Sequence, residues 1–306
     1  MKIAVVGAGA MGSLFGALLS ENGNDVWLYD IWKEHVNAVN ENGLIIERKG
    51  KIRTVKLNAT VDSGNIGPVE LTIIFVKSTQ TESAAETAYR LAGSGGLVMT
   101  LQNGMGNADA VAKFIEAERI LVGTTAHGAT MLGPGKIRHA GVGPTTIGMW
   151  APGEKGHTRA RQFAEFFSRA GIETKAVKDV RSVVWQKLFI NVGINAITAL
   201  TGIKNGQILD LATTRELSRA AVEEAIDVAR AESIKVEKET VAQVFKVAEA
   251  TALNRSSMGQ DVDHQRQTEI SAINGFIVRE ANRLGLKAPV NQTLTALIET
   301  LQYHYK

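Results

Sequence analysis

Apolar positions divide the chain into two stretches of different rhythm. In the first, short apolar runs of strand length alternate with helical patterns. Lys2–Val6 is followed by a helical stripe (Leu14, Phe15, Ala17, Leu18, Leu19) and then by a strand at Asp25–Asp30. Strands are predicted at 43–47 and 51–57. The run Leu71–Val76 is unbroken, as suits a central parallel strand. A helix over 80–91, capped by Ser78 or Thr79, leads to a buried strand at Leu97–Leu101 and another at Ile120–Thr125. The glycine-rich region 126–149 holds strand pieces at 136–140 and 144–149, predicted as an antiparallel extension of the same sheet. A helix over 157–170 and an edge strand over 172–177 close this half. From Asp179 the strand signals vanish. Helices are predicted over 180–200, 207–212, 214–233, 238–254, 262–284 and 291–304, with a capping box at Thr213 and Glu216 and a stop at Gly285 and Pro289. The expected architecture is an α/β domain over 1–178 with a mixed sheet, then an all-α domain over 179–306.

The first strand runs into Gly7-Ala8-Gly9-Ala10-Met11-Gly12, a G-x-G-x-x-G fingerprint in its confirming context of strand, turn, helix and strand. Gly7 permits the turn, Gly9 lets the backbone approach a pyrophosphate, and Gly12 lets helix and strand pack closely. The first domain is therefore read as a Rossmann-type dinucleotide-binding domain. Asp30 ends the second strand, where an acid binds the adenosine ribose hydroxyls and repels a 2′-phosphate. It also suits the N-cap of a helix starting near Trp32. Lys33 and Lys77 are nearby cations able to accept a phosphate, so NAD(H) and NADP(H) both stay open. Lys77 and Asn103 follow the carboxyl ends of predicted strands, where ligands of doubly wound sheets bind, and Asn103 is read as a contact of the nicotinamide half. The alternative for Asn103-Gly104 is an ordinary turn.

Residues 181–200, RSVVWQKLFINVGINAITAL, form a helix apolar nearly all round, hence a buried one. Lys187, Asn191 and Asn195 fall at every fourth position and share one stripe. Buried polar groups need partners. Either the three cap loops and bond one another, or they line an interdomain cleft and face a polar ligand.

Composition narrows the chemistry. A chain of 306 residues, 44% hydrophobic and 21% charged, is long enough for two domains. The net charge of +3 and a basic run at 47–53, read as the wet face of a hairpin, give no broad basic stripe for nucleic acid. With no cysteine there are no disulfides, thiolate nucleophiles or Cys-ligated metals. His127 and His139 lack metal-ligand spacing and are read as structural. Met-Lys leads straight into a strand and no apolar run reaches membrane-spanning length. A cytoplasmic enzyme without a membrane partner is therefore expected.

Three further segments complete a pattern: Asn254-Arg255-Ser256-Ser257-Met258-Gly259-Gln260-Asp261, Thr268-Glu269-Ile270 and Ala272-Ile273-Asn274-Gly275. With Gly7–Gly12, Leu101-Gln102-Asn103-Gly104 and Lys187–Asn195, they make the chain resemble the ketopantoate reductases (2-dehydropantoate 2-reductases), from residue 3 to about 290. The resemblance implies hydride transfer from a nicotinamide to the ketone of 2-dehydropantoate, giving pantoate for pantothenate synthesis, with NADP(H) the usual coenzyme. It makes Lys187 the catalytic lysine, with Glu269 supporting catalysis, substrate and cofactor. Asn103 lies beside the nicotinamide and the substrate carbonyl. Asn191, Asn195 and Ser257 bind substrate, with Asn205 and Asn254 as minor contributors. A homodimer is compatible with such an enzyme. Two positions depart from the family pattern. Asp30 stands where a basic residue is usual, and Gly259 replaces a larger apolar residue, which is expected to widen a pocket or alter the hinge. The competing readings are an NAD(H)-dependent reductase of other branched or aromatic 2-keto acids (similar to mandelate dehydrogenases), and a dinucleotide sensor without chemistry. An opine or 3-hydroxy-acid dehydrogenase shares the plan but does not need Ser256-Ser257-Met258 with Thr268-Glu269.

Overall fold

A computed structural model describes residues 1–305. The chain forms two compact units, Met1–Gln102 with Asn107–Val180, and Asn103–Gly106 with Arg181–Lys306. The first begins β1 (Lys2–Val6), α1 (Ala10–Glu21), β2 (Asp25–Tyr29), α2 (Lys33–Asn42), β3 (Leu44–Arg48), β4 (Lys51–Val55) and β5 (Asn58–Thr60). It continues with β6 (Leu71–Ile74), α3 (Thr81–Ala92), β7 (Leu97–Thr100), α4 (Asn107–Ala112) and β8 (Ile120–Thr125). Then come β9 (Gly128–Gly133), β10 (Lys136–Gly141), β11 (Thr145–Met149), α5 (Glu154–Arg169) and β12 (Thr174–Ala176).

Among the described residues these strands make two sheets. The larger runs β12-β11-β8-β7-β6-β1-β2-β5 and the smaller β4-β3-β10-β9. β1 sits between β2 and β6, parallel to both, which is the point where strand order reverses. Its neighbour β6 is buried along its whole length, as its Leu-Thr-Ile-Ile sequence requires of a strand covered on both faces. β11 extends the large sheet antiparallel to β8, as expected for 144–149. The expectation for 136–140 was wrong. β10 leaves that sheet and pairs with β9 and, in parallel, with β3, where Lys136 faces Ile45. Alternation identified a strand there but could not name its partner.

The second unit contains α6 (Val180–Thr201), α7 (Ala212–Ala231), α8 (Thr240–Ala250), α9 (Ser257–Asp263), α10 (Asn274–Leu284) and α11 (Pro289–Gln302). α6 corrects the statement that no apolar run reaches membrane-spanning length, since its 22 residues are long and apolar enough. Its apolar side chains are spent on the protein core: Leu188, Phe189, Val192, Ile194 and Ile197 are all buried against residues of α7, α8 and α10.

Several helix ends differ from expectation. The helix expected over 262–284 is broken, because Gln265 takes a left-handed conformation and the Gln302 side chain accepts from the Thr268 amide at 2.9 Å and from its hydroxyl. The 207–212 helix is a single 3-10 turn at Asn205–Leu209. α7 starts at Ala212, which puts Thr213 inside the first turn and leaves no capping box; the Thr214 hydroxyl instead donates to the Ile208 carbonyl at 2.8 Å. α3 likewise has no Ser78 or Thr79 cap, since Ser78–Gln80 form a 3-10 turn of their own.

A buried polar chain, not legible in the sequence, fixes the second core. Glu224 of α7 accepts from the Val290 and Asn291 amides at 2.8 and 2.9 Å, neutralising the open start of α11. Asn291 donates from Nδ2 to the Ala221 carbonyl and to Glu224, and accepts from Asn274 Nδ2 at 2.9 Å. Asn274 Nδ2 also lies 3.4 Å from the Val192 carbonyl of α6. Asn291 and Asn274 are both 0% exposed, so removing one leaves the others unpaired in an apolar setting. Asn291→Ala should cost about 2–4 kcal/mol of unfolding free energy, the sum of two or three stranded buried groups. Urea denaturation followed by far-UV circular dichroism reads this directly, and a loss below about 0.5 kcal/mol would show that the chain is not structural.

Candidate active site

Two constructions matter, one in each unit. In the first, β1 ends in Gly7, whose amide donates to the Tyr29 carbonyl of β2 at 2.9 Å. Gly7 has φ +95°, and a Cβ there would lie 2.7 Å from the Val76 nitrogen. Gly12 is equally forced, since its Cβ would sit 2.0 Å from the Gly7 carbonyl oxygen. Gly9 behaves differently. It is exposed, caps the N-terminus of α1, and a Cβ there would meet nothing within 4 Å. Bare backbone facing open space at a helix N-terminus fits a diphosphate, and Ala8, Ala10 and Met11 flank it.

Asp30 follows β2, and its carboxylate accepts from two backbone amides. Its Oδ2 accepts from the Ala8 amide at 2.7 Å, so the carboxylate lies against the glycine turn. Its Oδ1 accepts from the Trp32 amide at 3.0 Å; the helix cap itself is Trp32, not Asp30. Lys33 opens α2 and is exposed, whereas Lys77, just past β6, is half-buried. His127 and His139 are buried and bonded to each other, Nδ1 to Nε2, at 3.1 Å. Among the described residues no group of three or more His, Cys, Asp or Glu could hold a metal.

In the second unit α6 presents Lys187, Asn191 and Asn195. Burial pulls the Lys187 ammonium down to about 8, and the Glu269 carboxylate opposes that fall. Glu269, 8% exposed, sits just before the 3-10 turn Ile270–Ala272. Asn103 Nδ2 donates to Glu269 Oε2 at 3.4 Å. The Asn103 segment is held there by its neighbours. Gly104 has φ +81° and would place a Cβ 2.5 Å from the Ala272 carbonyl oxygen, while the Met105 amide donates to that same oxygen at 2.8 Å. The Asn-Gly turn thus brings Asn103 to Glu269, the acid that also acts on Lys187.

The Asn191 and Asn195 Nδ2 atoms are buried without a protein acceptor. Orphaned donors one turn apart on an apolar helix are expensive unless a ligand uses them. Of the other sequence candidates, Asn205 is satisfied at its donor only, its Oδ1 being buried without a partner. Asn205 Nδ2 donates to the Thr251 hydroxyl at 3.0 Å and its amide to the Asn254 carbonyl, so these two hold a loop. Ser257 is exposed at the first turn of α9. Its neighbour Ser256, part of the sequence pattern but given no role there, caps α9 by accepting from the Gly259 amide at 3.0 Å. It also shares a 2.7 Å hydrogen bond with Thr198 of α6. The serine preceding a helix by three residues from Gly259 was the available signal, an N-cap pattern.

Gly259 was expected to widen a pocket or alter the hinge; the space beside it is filled, so it does not widen a pocket. The Arg255 guanidinium fills the space, and a Cβ on Gly259 would lie 2.6 Å from its central carbon. From there Arg255 grips Asp263 through two 2.8 Å bonds and reaches the Thr198 and Ile203 carbonyls. The glycine is the room this clamp requires.

Comparison with known proteins finds one family across both units. Residues 3–152 match the family model "Ketopantoate reductase PanE/ApbA" and residues 179–302 match "Ketopantoate reductase PanE/ApbA C terminal". A 2-dehydropantoate 2-reductase from Halobacterium salinarum is 37% identical over 303 residues, covering 99% of each chain. One from Pyrococcus abyssi is 35% identical over 304 residues, covering 98% of this chain and 97% of its own. Among solved structures, a D-mandelate dehydrogenase with NADH and anilino(oxo)acetate superposes with a TM-score of 0.93 at 30% identity, covering 99% and 98% of the two chains. A PanE/ApbA family ketopantoate reductase from Ralstonia eutropha superposes at 0.90 with 32% identity, covering 99% of both. By both of its units, the chain belongs to the ketopantoate reductase family.

Proposed function

We propose that the protein is a soluble, cytoplasmic reductase that converts 2-dehydropantoate to pantoate. The observation that carries this reading is the pairing, on one buried helix, of an amine with a lowered pKa and two carboxamide donors that have no protein acceptor. Full-length relatives named 2-dehydropantoate 2-reductase support it. A nicotinamide dinucleotide, held by Gly7–Gly12 and Asp30, supplies the hydride when bound.

The chain's own residues do the rest. Hydride arrival at a ketone carbon builds negative charge on its oxygen, which needs a proton. Lys187 Nζ donates it. At a pKa of about 8 the amine is still largely protonated at neutral pH, yet gives up its proton more readily than an exposed lysine. Glu269 holds the ammonium in place electrostatically and keeps its pKa from falling further. The Asn191 and Asn195 Nδ2 groups bind the acceptor oxygens of the keto acid, and Asn103, aimed at Glu269, orients the reacting carbonyl. Ser257 adds a hydroxyl from α9. Asn205 and Asn254 contribute by fixing the loop between α6 and α7.

Asp30 favours NADH, because its carboxylate is fixed beside the turn and would repel a ribose 2′-phosphate. The D-mandelate dehydrogenase with NADH is similar across the whole chain, which keeps a second reading in view, an NADH-dependent reductase of aromatic 2-keto acids.

Steady-state kinetics with 2-dehydropantoate, benzoylformate and 2-ketoisovalerate separate these readings. The first should show the highest kcat/KM, and a preference of more than about a hundredfold (about 2.7 kcal/mol) for another acid would replace it. Lys187→Ala should lose about 10²–10⁴ in kcat, as removal of a general acid does, with dinucleotide affinity unchanged. In the wild type kcat/KM should fall as pH rises through about 8, because the donor must be protonated. Glu269→Gln removes the carboxylate that raises this pKa, so the alkaline limb should move to lower pH; a limb that stays put would remove Glu269 from the pair. Asp30→Asn keeps an acceptor for the Ala8 amide but loses the charge, and should raise kcat/KM for NADPH relative to NADH by about tenfold.

A further inference from the structure

His35 has no role in the chemistry above, yet it is 0% exposed and fully engaged. Its Nδ1 lies 3.1 Å from the Gly135 amide in the turn between β9 and β10. An amide can only donate, so Nδ1 is the unprotonated nitrogen and Nε2 carries the ring proton. Nε2 stands 3.2 Å from Ser13 Oγ and donates to it. The Ser13 hydroxyl, also 0% exposed, in turn donates to the Ala8 carbonyl at 2.8 Å. The amide of the same Ala8 donates to Asp30 Oδ2. The central residue of the Gly7-Ala8-Gly9 turn is therefore held by its amide through Asp30 and by its carbonyl through a relay that starts in the smaller sheet's hairpin. Trp32 covers the imidazole as a stacked ring at 5.3 Å, and burial keeps the imidazole's pKa below its ordinary value, so it stays neutral.

We infer that His35 is a positioning residue for the dinucleotide: acting through Ser13, it fixes the Ala8 carbonyl and thereby the backbone of the glycine turn on which the diphosphate rests. The inference rests on the proposed dinucleotide reading of that turn. A histidine buried merely to fill space would need its shape; this one needs a donor at the Nε2 position. The two halves of the imidazole can be kept separately. Gln at 35 places an amide near the Nε2 position and can still donate to Ser13. Asn reaches only the Nδ1 position and can satisfy Gly135 alone.

The test is a fluorescence titration of the full chain with NADH and with NADPH, beside thermal unfolding of each variant. His35→Asn should weaken dinucleotide binding about tenfold, the worth of one lost hydrogen bond that orders the turn, and His35→Gln should stay within about threefold of the wild type. Ser13→Ala, which leaves the imidazole in place and is accommodated in α1, should reproduce the His35→Asn loss. The KM for the keto acid should move less than twofold in all three. Equal losses in His35→Gln and His35→Asn that follow the fall in unfolding temperature would reduce His35 to packing and overturn the inference. Wild-type affinity in Ser13→Ala would overturn it without reference to folding of the His35 variants. Failure of the wild type itself to bind either dinucleotide would instead overturn the functional reading beneath it.

Discussion

The costliest single group of α6 is the half-buried amine of Lys187. A charged lysine on a helix as apolar as α6 is costly, and the cost appears as the descent of Lys187 to about 8. Glu269 offsets part of it, and Asn103 is tied to that acid through a glycine turn seated on Ala272. The same burial that makes the amine expensive makes it a better acid at neutral pH. On the proposed function, stability is given up at the group that donates the proton, and the neighbouring bonds offset part of the loss.

That support is specific. The chain from Glu224 through Asn291 and Asn274 to the Val192 carbonyl fixes α6 at the residue after Asn191, within about a turn and a half of Lys187. On the following turns Thr198 is bonded to Ser256 and gripped through its carbonyl by Arg255. An apolar helix packed only by hydrophobic contact can slide or rotate with little penalty, because such contacts are not directional. Hydrogen bonds to two of its backbone carbonyls and one hydroxyl are directional, and they hold the polar stripe at one rotation. In the first unit the glycine turn is treated in the same manner, with Ala8 pinned at both its amide and its carbonyl.

The elements of the first unit were legible because strand and helix rhythms are local. β1, β2, β6, β7 and β8 fall where apolar runs and the fingerprint place them. Partnership was not legible. β10 looks like any short alternating strand, and only its pairing with β3 takes it out of the large sheet. Helix ends failed for a related reason. The 262–284 helix is interrupted because Gln302, far along the chain, captures Thr268, and no local propensity announces that competition.

The sequence by itself determined the α/β and all-α division, the dinucleotide turn, and the stripe of Lys187, Asn191 and Asn195, since each depends on spacing along one strand or helix. Tertiary structure decided which of the polar candidates already have protein partners. The Asn205 donor is taken by Thr251 while its Oδ1 stays unmatched, Asn254 is tied to this loop by its backbone, and Asn191 and Asn195 retain unmatched donors. It also decided the meaning of Gly259, which is space for a guanidinium, and of Asp30, which serves the turn as well as the segment after β2. A residue's type states what it can donate, accept or ionise; only the neighbours brought in from distant parts of the chain state whether that capacity is already used.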